Sequence, residues 1–94
     1  RGLELDWALT DDEAAMLLKG DCFYCGGKPS QEVRSKKRVT GVLINGIDRV
    51  DNTLGYTRSN SVPCCFQCNV SKSNLSVGEF KSWIIRAARH LCKT

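Results

Sequence analysis

No apolar run in the 94 residues approaches the ~20 that a membrane-spanning helix needs, so the sequence reads as a domain with no membrane partner. The opening "RGLELDW" lacks both the charged-then-apolar pattern of a secretory signal and an initiating Met. That reads as a domain cut from a longer protein, with other domains and targeting information elsewhere. Internal repeats and low-complexity tracts are absent. Histidine is nearly so: the sole copy, His90, falls late in the chain, where its plain role is to cap the negative end of a helix.

What the chain does have is cysteine, six of them, and a modest basic excess of 14 Lys+Arg over 10 Asp+Glu. A net charge of +4 suits a polyanionic partner without demanding one. At this length one domain is expected, and an apolar core alone leaves little margin against chain entropy. The cysteines are the natural staple, as disulfides or as a metal site.

The first helix is announced by "TDDEAAMLLKG", residues 10 to 20. Thr10 and Glu13 form a capping box, Asp11 and Asp12 suit the positive end of the dipole, and Gly20 stops the helix. Ala14, Leu17 and Leu18 share a face, over which Trp7 is expected to pack. After the turn "CFYCGGKPS", residues 31 to 50 read as two strands around a basic turn, interrupted by Gly41, Asn45 and Gly46. "DNTLGYTRSN" has the composition of a loop. "CCFQCNVSKSN" opens a short helix, and "SVGEFKSWIIRAARHLCKT" a longer one capped by Ser76 and Glu79. Phe80, Trp83, Ile84, Ala87 and Leu91 recur at helical spacing on one face and are expected in the core.

Cys22-x-x-Cys25 and Cys65-x-x-Cys68 are two matched pairs. A pair at that spacing on a tight turn presents both sulfurs to one tetrahedral ion, and two such turns complete the shell of a structural zinc with no open position. Gly26 and Gly27 supply backbone that tolerates positive φ. Such a Zn²⁺ would tie the two knuckles across 39 intervening residues. A disulfide framework is the alternative, but the matched spacings and the lack of a secretory signal favour the metal and a reducing, intracellular compartment. Cys64 and Cys92 are left over as small apolar residues.

"CFYCGG", "GIDRVDN", "GYTRSNSVPCCFQCNVSK" and "EFKSWI", in that order, resemble the HNH endonuclease family in its zinc-knuckle, phage-type form. The resemblance implies an α+β fold: a small ββα-metal domain spanning residues 1–94. A leading helix would occupy 1–20, zinc knuckles and ββα core 21–75, and a C-terminal helix 76–94. It also implies a metal-dependent nuclease that binds DNA, with RNA as the other candidate, and hydrolyses phosphodiester bonds. The rival reading is a non-catalytic, zinc-stabilised nucleic-acid-binding module of a larger nucleoprotein assembly.

By position in the family motif, Asp48 corresponds to the carboxylate and Asn69 to the helix ligand of a catalytic Mg²⁺ or Mn²⁺. Asn60 corresponds to the central Asn that fixes the loop. One carboxylate and one amide oxygen leave a divalent ion several open positions for a scissile phosphate. The position of the family's basic His is held here by Arg49, which stays protonated at any working pH. Three roles for Arg49 stand open: a phosphate clamp, with Asp51 or metal-activated water replacing the base; a nucleic-acid contact in a domain that does not cut; or a structural partner of Asp48 or Asp51. Asp51 itself reads equally as an Asx turn. Arg34, Lys36, Lys37 and Arg38 on the basic turn, with Arg58 and Lys72, are the candidate phosphate contacts. Tyr56 is expected to pack. Nothing forms a base-reading code, so weak sequence preference is expected.

Overall fold

A computed structural model describes residues 7–35 and 38–93, with the side chains of residues 34–39 left undescribed. The elements run α1 (Asp11–Lys19), β1 (Gln31–Ser35), β2 (Arg38–Ile44), β3 (Gly46–Arg49), β4 (Ser61–Cys64), α2 (Phe66–Lys72) and α3 (Val77–Leu91). Two antiparallel hairpins, β1–β2 and β3–β4, and three helices make a small α+β domain.

Both capping boxes form as their sequences dictate. Thr10 Oγ1 accepts from the Glu13 amide at 3.1 Å while the Glu13 carboxylate accepts from the Thr10 amide at 2.9 Å. Ser76 and Glu79 repeat the exchange at 3.1 and 2.9 Å. α1 ends at Gly20, where a Cβ would lie 2.8 Å from Pro63 Cγ, so the close approach of the helix end to β4 requires glycine. Within the expected leading segment 1–20 the helix is Asp11–Lys19, residues 7–10 precede it in non-helical backbone, and residues 1–6 lie outside the described residues. Trp7 is more than half exposed and leans on Tyr56 instead of covering the α1 face, with ring centroids 5.1 Å apart.

Residues 31 to 50 hold three strands, not the expected two. Asn45 makes the break: its amide donates to the Leu18 carbonyl at 2.8 Å, and its side chain donates to the carbonyls of Gly20 at 2.9 Å and Gly27 at 3.2 Å. Those bonds tie the end of α1 to the first cysteine turn and redirect the chain into β3. β3 then pairs with a strand that sequence patterning did not show, Ser61–Cys64, in the register Gly46↔Cys64, Ile47↔Pro63, Asp48↔Val62, Arg49↔Ser61. α2 follows β4 at once, with Cys65 as its N-cap. The unit β3–β4–α2 is a ββα arrangement.

The apolar core is small: Leu9, Cys22, Cys64 and Phe80 are buried, alongside the polar Asn45, Asn60, Ser61 and Lys72. The apolar stripe of α3 is not core as expected. Only Phe80 is enclosed, edge-on to Tyr24 at 5.5 Å, while Trp83 and Ile84 are about two-fifths exposed and Leu91 is 80% exposed. The physical reason is that nothing among the described residues closes over the stripe: Ile84 and Ile85 border an open cleft shared with Phe23 and Tyr24. Cys64 is buried as expected, but Cys92 is exposed. The radius of gyration, 15.1 Å, exceeds the ~12 Å of a compact chain of this length.

Candidate functional site

The two cysteine turns are brought together. Sγ atoms of Cys22, Cys25, Cys65 and Cys68 all lie within 4.8 Å of one another, with Cys25 and Cys65 at 3.7 Å. Sulfurs at the corners of a tetrahedron with bonds near ~2.3 Å would be about 3.8 Å apart, so the donor set and its spacing fit Zn²⁺. All six cysteines are free thiols, which sets aside the disulfide framework. Local backbone builds each turn. Gly26 adopts φ 76°, its amide returns to the Cys22 carbonyl at 2.8 Å, and the Gly27 and Cys68 amides point at Cys25 and Cys65 sulfurs, both at 3.4 Å.

Thiol electrostatics agree with a cation site. Burial pushes Cys22 up, but backbone N–H groups from Cys65, Cys25 and Tyr24 outweigh it and bring the thiol down to about 6. Cys68 is pushed up, first by burial and then by its neighbours Cys65 and Cys25, as expected of sulfurs that cannot all be thiolate without a positive charge between them. Cys64, although adjacent, is pushed by burial up to about 12 and stands outside the set.

Behind the cluster, β3 and α2 meet through a buried polar contact. Tyr24, between the first two cysteines, donates its hydroxyl to Asp48 Oδ2 at 2.6 Å. Lys72, at the end of α2, places Nζ 3.2 Å from the same oxygen and donates to the Arg49 carbonyl at 3.4 Å. The Lys72 side chain is 0% exposed and that of Asp48 12%. Lys72 is therefore not the phosphate contact that its sequence position suggests. An ammonium with no accessible surface needs a counter-charge, and Asp48 supplies it. Nζ also lies 5.9 Å from the Tyr24 ring centroid. Burial, together with the hydrogen bond to Asp48 and its charge, pushes the Tyr24 phenol well above its usual range. Asn69 lies on α2 one turn before Lys72 and is exposed; residues three apart share a helix face.

The loop between β3 and β4 is fixed from within. Asn60, buried, accepts from the Asp51 amide at 2.8 Å and donates to the carbonyls of Asp51 at 3.0 Å and Gly55 at 2.9 Å. Asp51 closes an Asx turn: Oδ1 accepts from the Thr53 amide at 2.9 Å and the Thr53 hydroxyl at 2.6 Å. Those bonds from Thr53 hold its carboxyl below the usual carboxylate range, which suits an anchor better than a proton acceptor. Arg49 pairs with neither Asp48 nor Asp51. Its Nη1 donates to the carbonyls of Asn52 at 3.0 Å and Leu54 at 3.1 Å, and its guanidinium lies 5.2 Å from the Tyr56 ring centroid. Tyr56 is half-buried between Arg49 and Trp7, as a packing residue.

Among the candidate phosphate contacts, Arg58 is 73% exposed and 3.4 Å from Glu13. Lys36 and Lys37 lie outside the described residues, as do the side chains of Arg34 and Arg38. Sequence reasoning missed Tyr24 altogether. Its only signal is its place inside "CFYC", between the two cysteines of the first turn.

The small α+β fold, its ββα unit and a four-cysteine cluster able to coordinate a metal define a domain of general ββα-metal type. No protein-family model matches the chain. Over 76 residues, 81% of its length, it is 36% identical to uncharacterized protein R423 of Acanthamoeba polyphaga mimivirus, of which that stretch is 12%. Among solved structures it is similar to the rare-cutting HNH restriction endonuclease PacI, at 29% identity and TM-score 0.50, over 83% of this chain and 60% of PacI. The chain thus spans less than two thirds of either protein. PacI perturbs DNA.

Proposed function

We propose that this is an HNH-type endonuclease domain that binds DNA and hydrolyses phosphodiester bonds with a divalent ion, Mg²⁺ or Mn²⁺, held by Asp48 and Asn69. The observation that carries the reading is the meeting of β3 with α2. Asp48, next to last in β3, is seated on Lys72, one helical turn beyond Asn69, within a fold similar to an HNH endonuclease. The donors fit a hard cation. Both described contacts of Asp48 fall on Oδ2, which leaves Oδ1, and Asn69 offers an exposed amide oxygen.

When bound, such an ion supplies Lewis-acid polarisation of a phosphate oxygen and of a water. The chain's own residues hold the frame. Asn60 and Asp51 fix the loop beside the site, and Arg49 straps that loop by its carbonyls while presenting the rest of its guanidinium to a phosphate. With Arg49 at the position where the resemblance implies a His, a bound ion would have to supply the activation of water, since neither Arg49 nor the turn-bound Asp51 makes an effective base. Arg58 and the basic turn of Arg34, Lys36, Lys37 and Arg38 would supply backbone contacts.

A second reading, a non-catalytic nucleic-acid-binding module held by zinc, draws on the same pocket. Asp48 already has Lys72 as counter-charge at 3.2 Å. Supercoiled plasmid incubated with the zinc-loaded domain and Mg²⁺ or Mn²⁺ separates the two. The nuclease reading expects nicking that disappears with chelator and with Asp48→Ala. Binding without cleavage under either metal selects the module, and nicking that survives Asp48→Ala removes Asp48 from the chemistry.

A further inference from the structure

Asp48 receives two donors on one oxygen and none on the other among the described residues. Tyr24 Oη and Lys72 Nζ, from the first cysteine turn and from α2, converge on Oδ2 at 2.6 and 3.2 Å. Neither donor is free to wander. Tyr24 is fixed edge-on to Phe23 at 5.1 Å and to Phe80 at 5.5 Å, and Lys72 is wholly enclosed. Zinc-facing residues flank Tyr24, and Cys68 lies one turn before Lys72 on α2, so both donors are placed by the same cluster that joins the knuckles.

We propose that Tyr24 and Lys72 are positioning residues with opposite electrical effects. They clamp Oδ2 so that Asp48 offers a divalent ion one oxygen, Oδ1, in one direction. This rests on the reading of Asp48 as a metal ligand and deepens it. Tyr24 is neutral and orients the carboxylate without competing for it, as an outer partner of a ligand does. Lys72 orients it too, but carries a charge of the same sign as the incoming ion and occupies the carboxylate in its absence. The clamp thus confines Asp48 to one-point binding and keeps affinity moderate, which suits an ion that must also leave positions open for a phosphate.

The test is Mn²⁺ binding to the full zinc-loaded chain, followed by electron paramagnetic resonance and titration calorimetry, with zinc content and melting temperature measured for each variant. Tyr24→Phe is expected to weaken Mn²⁺ binding about tenfold. Lys72→Met is expected to strengthen it severalfold, because the ion becomes the sole counter-charge. Leu9→Ala, which loses core contacts elsewhere, is expected to leave it unchanged. A merely structural role would move all three in the same direction, and that result overturns the proposal. So does Tyr24→Phe with wild-type affinity, which decides the matter alone should Lys72→Met fail to fold. Asp48→Ala tells the two failures apart. Unchanged Mn²⁺ affinity in that variant overturns the metal-ligand reading and the clamp with it. Lost affinity there, with Tyr24→Phe unaffected, overturns the clamp only.

Discussion

The Lys72–Asp48 contact can be weighed by a double-mutant cycle of Lys72→Met, Asp48→Asn and the two combined. Breaking a buried pair by removing one partner typically costs ~3–5 kcal/mol, because the survivor is left charged and uncompensated. Lys72 has no exposed surface, so in Asp48→Asn its ammonium keeps the Arg49 carbonyl at 3.4 Å, the Tyr24 ring at 5.9 Å and the new amide oxygen, none of them charged. Asp48 retains 12% exposure and the Tyr24 hydroxyl, which puts Lys72→Met at the lower end, about 3 kcal/mol. Replacing both charges by neutral groups of similar size removes the uncompensated survivor. The double variant should therefore lose about 3 kcal/mol, not the roughly 6 or more of the two singles together, a coupling of at least about 3 kcal/mol. Urea unfolding at fixed excess zinc measures each corner, and in melting each single variant should fall by roughly 15 °C. Additivity within ~0.5 kcal/mol would refute the buried ion pair as the seat of Asp48.

Chelation of zinc, or Cys65→Ser, should abolish the cooperative thermal transition, since metal binding in such sites supplies on the order of 10 kcal/mol; calorimetry with and without chelator checks this, and a retained transition would contradict it. Asn60→Ala strips three hydrogen bonds from a buried loop anchor and should cost about 2–3 kcal/mol, with hydrogen exchange rising at the Asp51 amide. Tyr24 gives an alkaline signature. Its folded pKa is raised, so above the unfolded value of ~10 the unfolded chain sheds a proton that the folded chain keeps, and stability falls as pH rises through that point. Tyrosinate absorbance of the folded protein minus that of Tyr24→Phe should show no titration until unfolding, and a step near pH ~10 would show the hydroxyl to be free of Asp48.

Local chemistry made some features legible. Thr10 with Glu13, and Ser76 with Glu79, satisfy helix ends within four residues, so their sequence spacing sufficed. The cysteine pairs were legible for the same reason within each turn, and their matched spacing carried the joining of the two. Ser61–Cys64 escaped because Pro63 demotes a strand reading, although an edge position facing Ile47 tolerates it. Asn45 looked like an interruption because its partners, Leu18, Gly20 and Gly27, lie far back in the chain. Lys72 shows the limit most clearly. Nothing in "NVSK" distinguishes a lysine that reaches solvent from one that turns inward, since the difference is made by Asp48 and Tyr24, 24 and 48 positions earlier. The periodicity of α3 was read correctly as one apolar face, but a period cannot say whether anything covers that face.

Among the described residues, β1 and β2 pair with each other and with no other strand. Their hairpin is a limb whose length is uncoupled from the zinc cluster and from the Asp48 seat. Adding or deleting paired residues there would alter the length of the hairpin while leaving the cysteine cluster and the Asp48–Lys72 contact untouched. Relatives could thus differ widely in span at this one place without rebuilding anything else.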